Sequence, residues 1–159
     1  MEETLSLIDY LVFDLEADYR ELMTTRETFV NPRLAAIYNI PAPSSEGFAY
    51  TQIPGDTARS GLLGHVSFLA GHAHQVSSSA TLRGKAVRTI LLCQSIPAPP
   101  VDVDTSIPEP SGNTLTLRDR VAEHLENPSC SACHLMTDPI GLALENFDGI
   151  GRWRDEDNG

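Results

Sequence analysis

Between residues 97 and 110 the chain carries five prolines and three carboxylates. A proline has no backbone N–H and a fixed φ, so neither a helix nor a central strand can pass through such a stretch. The segment must be extended and largely solvated. It divides the chain into a first part, 1–96, a linker, 97–112, and a second part, 113–159. Eleven prolines and eleven glycines in all point to short elements with many breaks. With 41% hydrophobic residues the chain can still bury a core. No apolar run approaches the ~20 residues of a membrane span, so no membrane insertion is expected.

Charge narrows the function classes. A net charge of −11 argues against a nucleic-acid binder, whose affinity comes from clustered Lys and Arg, and against docking on anionic membranes. The charge is uneven. Residues 1–30 hold eight carboxylates against two arginines, whereas residues 57–101 hold Arg59, Arg83, Lys85 and Arg88 with no carboxylate, together with His65, His72 and His74. Two differently solvated faces are one reading of this asymmetry; a docking surface, or a partner for a bound anionic group, is the other.

Hydrophobic spacing predicts a mainly α fold. Residues 4–23 form an amphipathic pattern through Ile8, Leu11, Val12, Leu15, Tyr19, Leu22 and Met23. Asn31-Pro32 reads as cap and first turn of a short helix to about Tyr38. Residues 41–55 read as loop with one short extended segment, and 61–70 as helical. Ser79 caps a helix through Leu82, Ala86, Ile90 and Leu91 to about Cys93. After the linker, Thr116 and Asp119 have capping-box spacing, and Leu117, Val121 and Leu125 form a stripe that includes His124. Asn127-Pro128 ends that helix, and Asp138-Pro139 starts another in which Ile140, Ala143, Leu144 and Phe147 face inward.

Cys130-Ser131-Ala132-Cys133-His134 lies between those last two helices. Two thiols three residues apart can add across the two vinyl groups on one edge of a porphyrin, and the next residue's imidazole then sits under the iron. Three cysteines cannot all pair, which makes a poor disulfide framework. A redox dithiol belongs after a strand of a βαβ unit, and no such pattern precedes Cys130. Zinc wants four ligands, usually as two close pairs, and only His72-x-His74 could be pressed into that role. The expected cofactor is therefore one covalent haem c, anchored by Cys130 and Cys133 with His134 as iron ligand. By its resemblance to the proline that follows such a motif in small cytochromes, Pro139 is expected to offer its carbonyl to the His134 ring N–H.

His124, six residues before the motif, is the candidate for the opposite face of the iron. Its other reading is a core residue bonded to backbone. His72 and His74 are alternatives, as is a ligand from outside the segment, or none. Met136 is two residues from His134, and two residues span at most ~7 Å, too little to pass around the porphyrin. Met23 reads as core and Cys93 as a buried inert thiol. Asp155-x-Asp157-x-Gly159 has the opening spacing of a calcium loop, but an acidic tail is the reading taken.

Thr81-Leu82-Arg83-Gly84-Lys85, Leu91-Leu92-Cys93, the proline-rich link, His124, the haem motif, Met136 to Asp148 and Gly151-Arg152-Trp153-Arg154 together resemble the haem-bearing portion of the large planctomycete-type cytochrome proteins, also found in myxobacteria. Phe29-Val30-Asn31 and Gly61-Leu62-Leu63 are similar to the module that precedes it there. The chain departs where many members read Ser-Pro and it has Ser79-Ala80-Thr81. Those relatives are multi-domain and exported. The resemblance thus implies haem c and a periplasmic or extracellular setting, with no reaction assigned.

Met1-Glu2-Glu3 has no basic start and no apolar run follows, so no signal peptide is read here. Haem is attached to such motifs outside the bacterial cytoplasm, and the two facts agree if the chain is a segment of a longer exported protein. The expected architecture is a cytochrome c-like core at 113–153 with an N-terminal helical extension and long Pro-rich loops. Its expected function is one-electron transfer with a redox partner protein or neighbouring domains, in a possible oligomer or haem array. The alternatives are a haem enzyme with an open sixth iron position and a haem-bearing interaction module. The four cations of 57–101 would neutralise haem propionates or steer an acidic partner.

Overall fold

The computed structural model describes residues 1–98, 116–126 and 128–157, apart from the side chains at 123, 124 and 129. From residue 99 onward the expected linker lies outside the described residues. The described residues are mainly helical, with one two-stranded sheet among them. It divides into two compact units, Met1–Gly71 with Ile150–Arg152, and His72–Gly149 with Trp153–Gly159. No described helix is long and apolar enough to cross a membrane.

In the first unit the amphipathic pattern of 4–23 does not give one helix. Helix α1 covers Glu2–Ile8, a π-helical turn covers Asp9–Asp14, and a 3-10 turn covers Tyr19–Met23. A π turn bonds residues five apart and so shifts the buried face by one residue. Glu16, at φ 49°, then takes the backbone out of the helix. Leu7, Leu11 and Leu22 reach the core, while Leu15, Tyr19 and Met23, expected on the same stripe, are exposed.

Strand β1, Glu27–Val30, pairs antiparallel with β2, Ala49–Gln52, with Glu27 opposite Gln52 and Val30 opposite Ala49. Only one extended segment was expected in this region, because four-residue strands joined across a helix leave too short an alternation to read. Between them α2, Pro32–Tyr38, begins as expected, with Asn31 Oδ1 accepting from the Leu34 N–H at 2.9 Å. Val30, Leu34, Ala35, Tyr38 and Ile53 form its apolar cluster. Helix α3, Val66–Gly71, follows a 3-10 turn over Leu62–Gly64.

A buried polar set is built into this unit. The Glu3 carboxylate accepts from the Tyr38 hydroxyl at 2.7 Å and the Thr28 hydroxyl at 2.8 Å. Arg59 lies 3.8 Å over the Tyr38 ring and donates to the Gly64 and Gly151 carbonyls. His65 Nδ1 meets the Thr4 hydroxyl at 3.0 Å, and its Nε2 is 3.7 Å from Glu3. Burial, and then the Arg59 charge, pushes the His65 imidazole down to about 4, so it is neutral near pH 7.

Among its described residues the second unit is built on three α-helices: α4, Ala80–Ala86, α5, Leu117–Glu126, and α6, Pro128–Leu142. Ser79 caps α4 through its hydroxyl, which accepts from the Leu82 N–H, so no proline is needed at that start. The helix continues as a π turn, Val87–Leu91. Its buried face carries Ala80, Arg83, Gly84, Ala86 and Val87, whereas Leu82, Ile90 and Leu91 are exposed. Thr116 and Asp119 form the expected reciprocal cap: Asp119 accepts from the Thr116 N–H, and Thr116 Oγ1 accepts from the Asp119 N–H, both at 3.2 Å. Leu117 and Val121 pack with Ala80, while Leu125 stays exposed.

Helices α4 and α6 cross at backbone distance. A Cβ on Gly84 would lie 1.8 Å from the Thr137 carbonyl oxygen, and one on Gly141 1.7 Å from that of Ala80. Arg83 between them is completely buried and donates to the carbonyls of Leu144 at 3.0 Å, Phe147 at 2.7 Å and Asp148 at 2.6 Å. It ties the chain after α6 back onto α4. The helix expected to start at Asp138-Pro139 is instead the last turn of α6, which runs unbroken through the motif. Pro139 lies inside this helix and supplies no N–H to the Leu135 carbonyl, so one bond of its ladder is missing. Of the residues expected inward beyond it, Phe147 is buried and Ala143 is exposed.

Candidate haem-attachment site

The motif occupies the first half of α6. In an α-helix, residues three and four apart share a face, so Cys130, Cys133 and His134 stand on one side of it. Both cysteines are free thiols, partly exposed, and the His134 side chain is 22% exposed. These three donors, two thiols and one imidazole on one accessible face, fit a covalently attached haem.

His134 is oriented from behind. Its Nδ1 lies 2.7 Å from Asp138 Oδ2, one helical turn further on. A carboxylate oxygen only accepts, so Nδ1 carries the proton in this contact. Asp138 is 1% exposed and its other oxygen is held as well. Asp138 Oδ1 accepts from Thr81 Oγ1 of α4 at 2.9 Å and lies 3.0 Å from Thr137 Oγ1. The Thr137 hydroxyl also lies 3.2 Å from the Cys133 carbonyl. This corrects the role expected of Pro139: the partner of the His134 ring is the Asp138 carboxylate.

The other named residues fall variously. His124 lies in α5, but its side chain is outside the described residues. His74 is exposed, with its backbone N–H donated to the Ser77 carbonyl, and His72 is half-buried. His65 belongs to the polar interior of the first unit. Cys93, expected to be buried, is exposed, at φ 52°. Among the described residues no three His, Cys, Asp or Glu side chains gather as a metal-ion site. The second unit has no strand before Cys130 among its described residues.

The cations of 57–101 do not form one positive surface. Arg59 and Arg83 are interior and spent on carbonyls. Lys85 is exposed, and Arg88 donates to the Met136 carbonyl, next to the motif, and to Gln94 at 2.5 Å. Asp155 and Asp157 are not a loose tail either. Asp155 accepts from the Trp153 indole at 3.0 Å, and Asp157 from Arg154 and the Leu117 N–H, both at 2.6 Å.

Residues 59–157 match PSCyt3, a family described as a protein of unknown function (DUF1588). The chain belongs to this family. The matched span takes in the motif, Asp138, Thr81 and the buried Arg83. PSCyt3 is linked by name to cytochrome-containing proteins, and the description assigns no activity. No curated protein and no solved structure matches the chain.

Within this PSCyt3 segment, sequence reasoning missed Asp138, Thr137 and Thr81. The first had a readable signal: His134 and Asp138 have the i, i+4 spacing of facing helical side chains. Placing a helix start at Asp138-Pro139 hid it. Thr81 carries no such signal, since its contact to Asp138 depends on how α4 crosses α6.

Proposed function

We propose that this PSCyt3 member is a c-type cytochrome module. One haem c is held by thioether bonds from Cys130 and Cys133, with His134 as axial ligand, and the module passes single electrons. The observation that carries this reading is the motif itself, presented on one helical face with Nδ1 of His134 held by Asp138. A bound haem supplies a metal centre that accepts and releases one electron with no transfer of atoms.

The chain's own residues supply the rest. Cys130 and Cys133 fix the porphyrin edge, and Asp138 fixes the imidazole. Exposed Ile90, Leu91, Leu92 and Leu135 offer apolar surface for the macrocycle, and Arg88 and Lys85 are the cations left for its propionates. His124 is the proposed ligand on the second face, and α5 with α6 forms the cytochrome c-like core. The module works in an exported, multi-domain protein, with neighbouring domains or a redox protein as partner.

The test is the absorption spectrum of the chain matured in an exporting host, read oxidised and then reduced with dithionite. Sharp low-spin bands that appear on reduction are expected. A haem-free spectrum overturns the proposal, and a high-spin, five-coordinate one transfers the site to the haem-enzyme class.

A further inference from the structure

Asp138 is not part of the attachment motif, yet it is the residue on which the geometry of His134 depends. Its carboxylate is withdrawn from water, its Oδ1 is engaged by two threonine hydroxyls, and its Oδ2 lies 2.7 Å from His134 Nδ1. Thr81 reaches it from α4 and Thr137 from α6, so the carboxylate cannot turn away without breaking contacts on two helices. We propose that Asp138 is a positioning residue that selects the Nδ1-protonated form of His134 and lowers the reduction potential of the haem it holds. The inference rests on the cytochrome reading above.

The physical chain is short. A carboxylate accepting from the far side of a metal-bound imidazole raises the basicity of that ligand. A more electron-rich imidazole stabilises the ferric ion more than the ferrous one, which carries one positive charge fewer. The negative charge of Asp138 acts in the same direction, and burial spares it from screening by water and salt. Reduction adds one electron from a one-electron donor, breaks no bond at His134 and leaves its Nδ1 proton in place.

Asp138→Asn isolates the effect. The amide has the same shape and offers a carbonyl oxygen to Nδ1–H, while Thr81 and Thr137 can rotate their hydroxyls to accept from its NH2. The charge is lost and the hydrogen-bonded frame is kept. In the haem-loaded full chain, a redox titration with mediators should show the one-electron equilibrium moved at least ten-fold toward the reduced form. That is a rise of about 59 mV, with covalent haem stain and melting temperature unchanged. An unmoved or lowered potential with haem retained overturns the proposal and makes Asp138 a structural brace between α4 and α6.

If Asp138→Asn does not fold, the unaltered apo chain decides. With 15N-labelled histidine, a proton on Nδ1 of His134 and a bare Nε2 support the assignment, and the Nε2-protonated form refutes it. Absence of covalent haem from the unaltered, exported chain is a different failure. It removes the cytochrome reading, and the potential-setting role with it.

Discussion

Arg83 shows what a single charged side chain can do inside this fold. Its guanidinium has no water contact and donates to three backbone carbonyls from the turn after α6, with Glu145 3.7 Å away. The planar guanidinium presents five donors in a rigid fork, a geometry that the three rotatable donors of an ammonium do not reproduce. Arg83→Met should therefore cost about 3–5 kcal/mol, the range for removing one member of a buried charged set, and Arg83→Lys should recover little of it. Urea unfolding of the full chain measures both; near-neutral variants would mean the carbonyls find water instead. His124 makes a different claim. As second iron ligand, its replacement by Ala should convert low-spin iron to high-spin and open the site to small ligands. An unchanged spectrum, with only ~1–3 kcal/mol of stability lost, would assign His124 a buried hydrogen bond instead.

At the scale of elements, the crossing of α4 and α6 governs the site, because it brings Thr81 to Asp138 and Arg88 to Met136. Gly84 and Gly141 permit it, since a side chain at either would meet backbone rather than a movable side chain. Gly84→Ala and Gly141→Ala should each lose about 1–3 kcal/mol or more, as overpacked sites do. Gly71→Ala is the control: a Cβ there meets nothing within 4 Å. It should be neutral or gain ~0.4–1 kcal/mol through a stiffer unfolded chain. Thermal melts compare the three, and equal behaviour would contradict the close crossing.

The same crossing explains what could be read in advance. The Asn31, Ser79 and Thr116 caps were legible because a cap is a local event among four residues. The Cys-x-x-Cys-His spacing of residues 130–134 is likewise local, and its haem reading stands as the proposal above. The split of 4–23 was not, since a π turn leaves the apolar spacing nearly intact while rotating the buried face. Nor was the burial of Arg83, whose partners lie more than sixty residues away. A run of cations with no carboxylates looked like a surface, and two of its four members proved to be interior.

For the whole molecule, the buried pair of Glu3 and His65 sets a pH dependence. The His65 imidazole sits at about 4 in the fold against an ordinary 6.5. Between those values the unfolded chain binds the proton more readily, so stability is full above about 6.5 and falls as the pH drops toward 4. The loss from this residue is about 3 kcal/mol, and below pH 4 it stops growing. Burial raises Glu3, whose protonated form the fold favours, so its contribution is lost as the pH rises through the raised value. Glu3 thus opposes His65 and makes the net profile shallower. His65→Gln should remove the His65 part. Urea midpoints at pH 7, 5.5 and 4 should drop less in the variant than in the unaltered chain, and parallel profiles would show that His65 does not titrate as a buried neutral group.

The claim that governs the rest is covalent haem on α6, and a denaturing gel tests it most directly. The full chain, matured in an exporting host, is unfolded, separated and stained for haem-dependent peroxidase activity beside the Cys130→Ala, Cys133→Ala double variant. The account predicts stain on the intact chain and none on the variant. An intact, correctly exported chain that runs free of stain would contradict it.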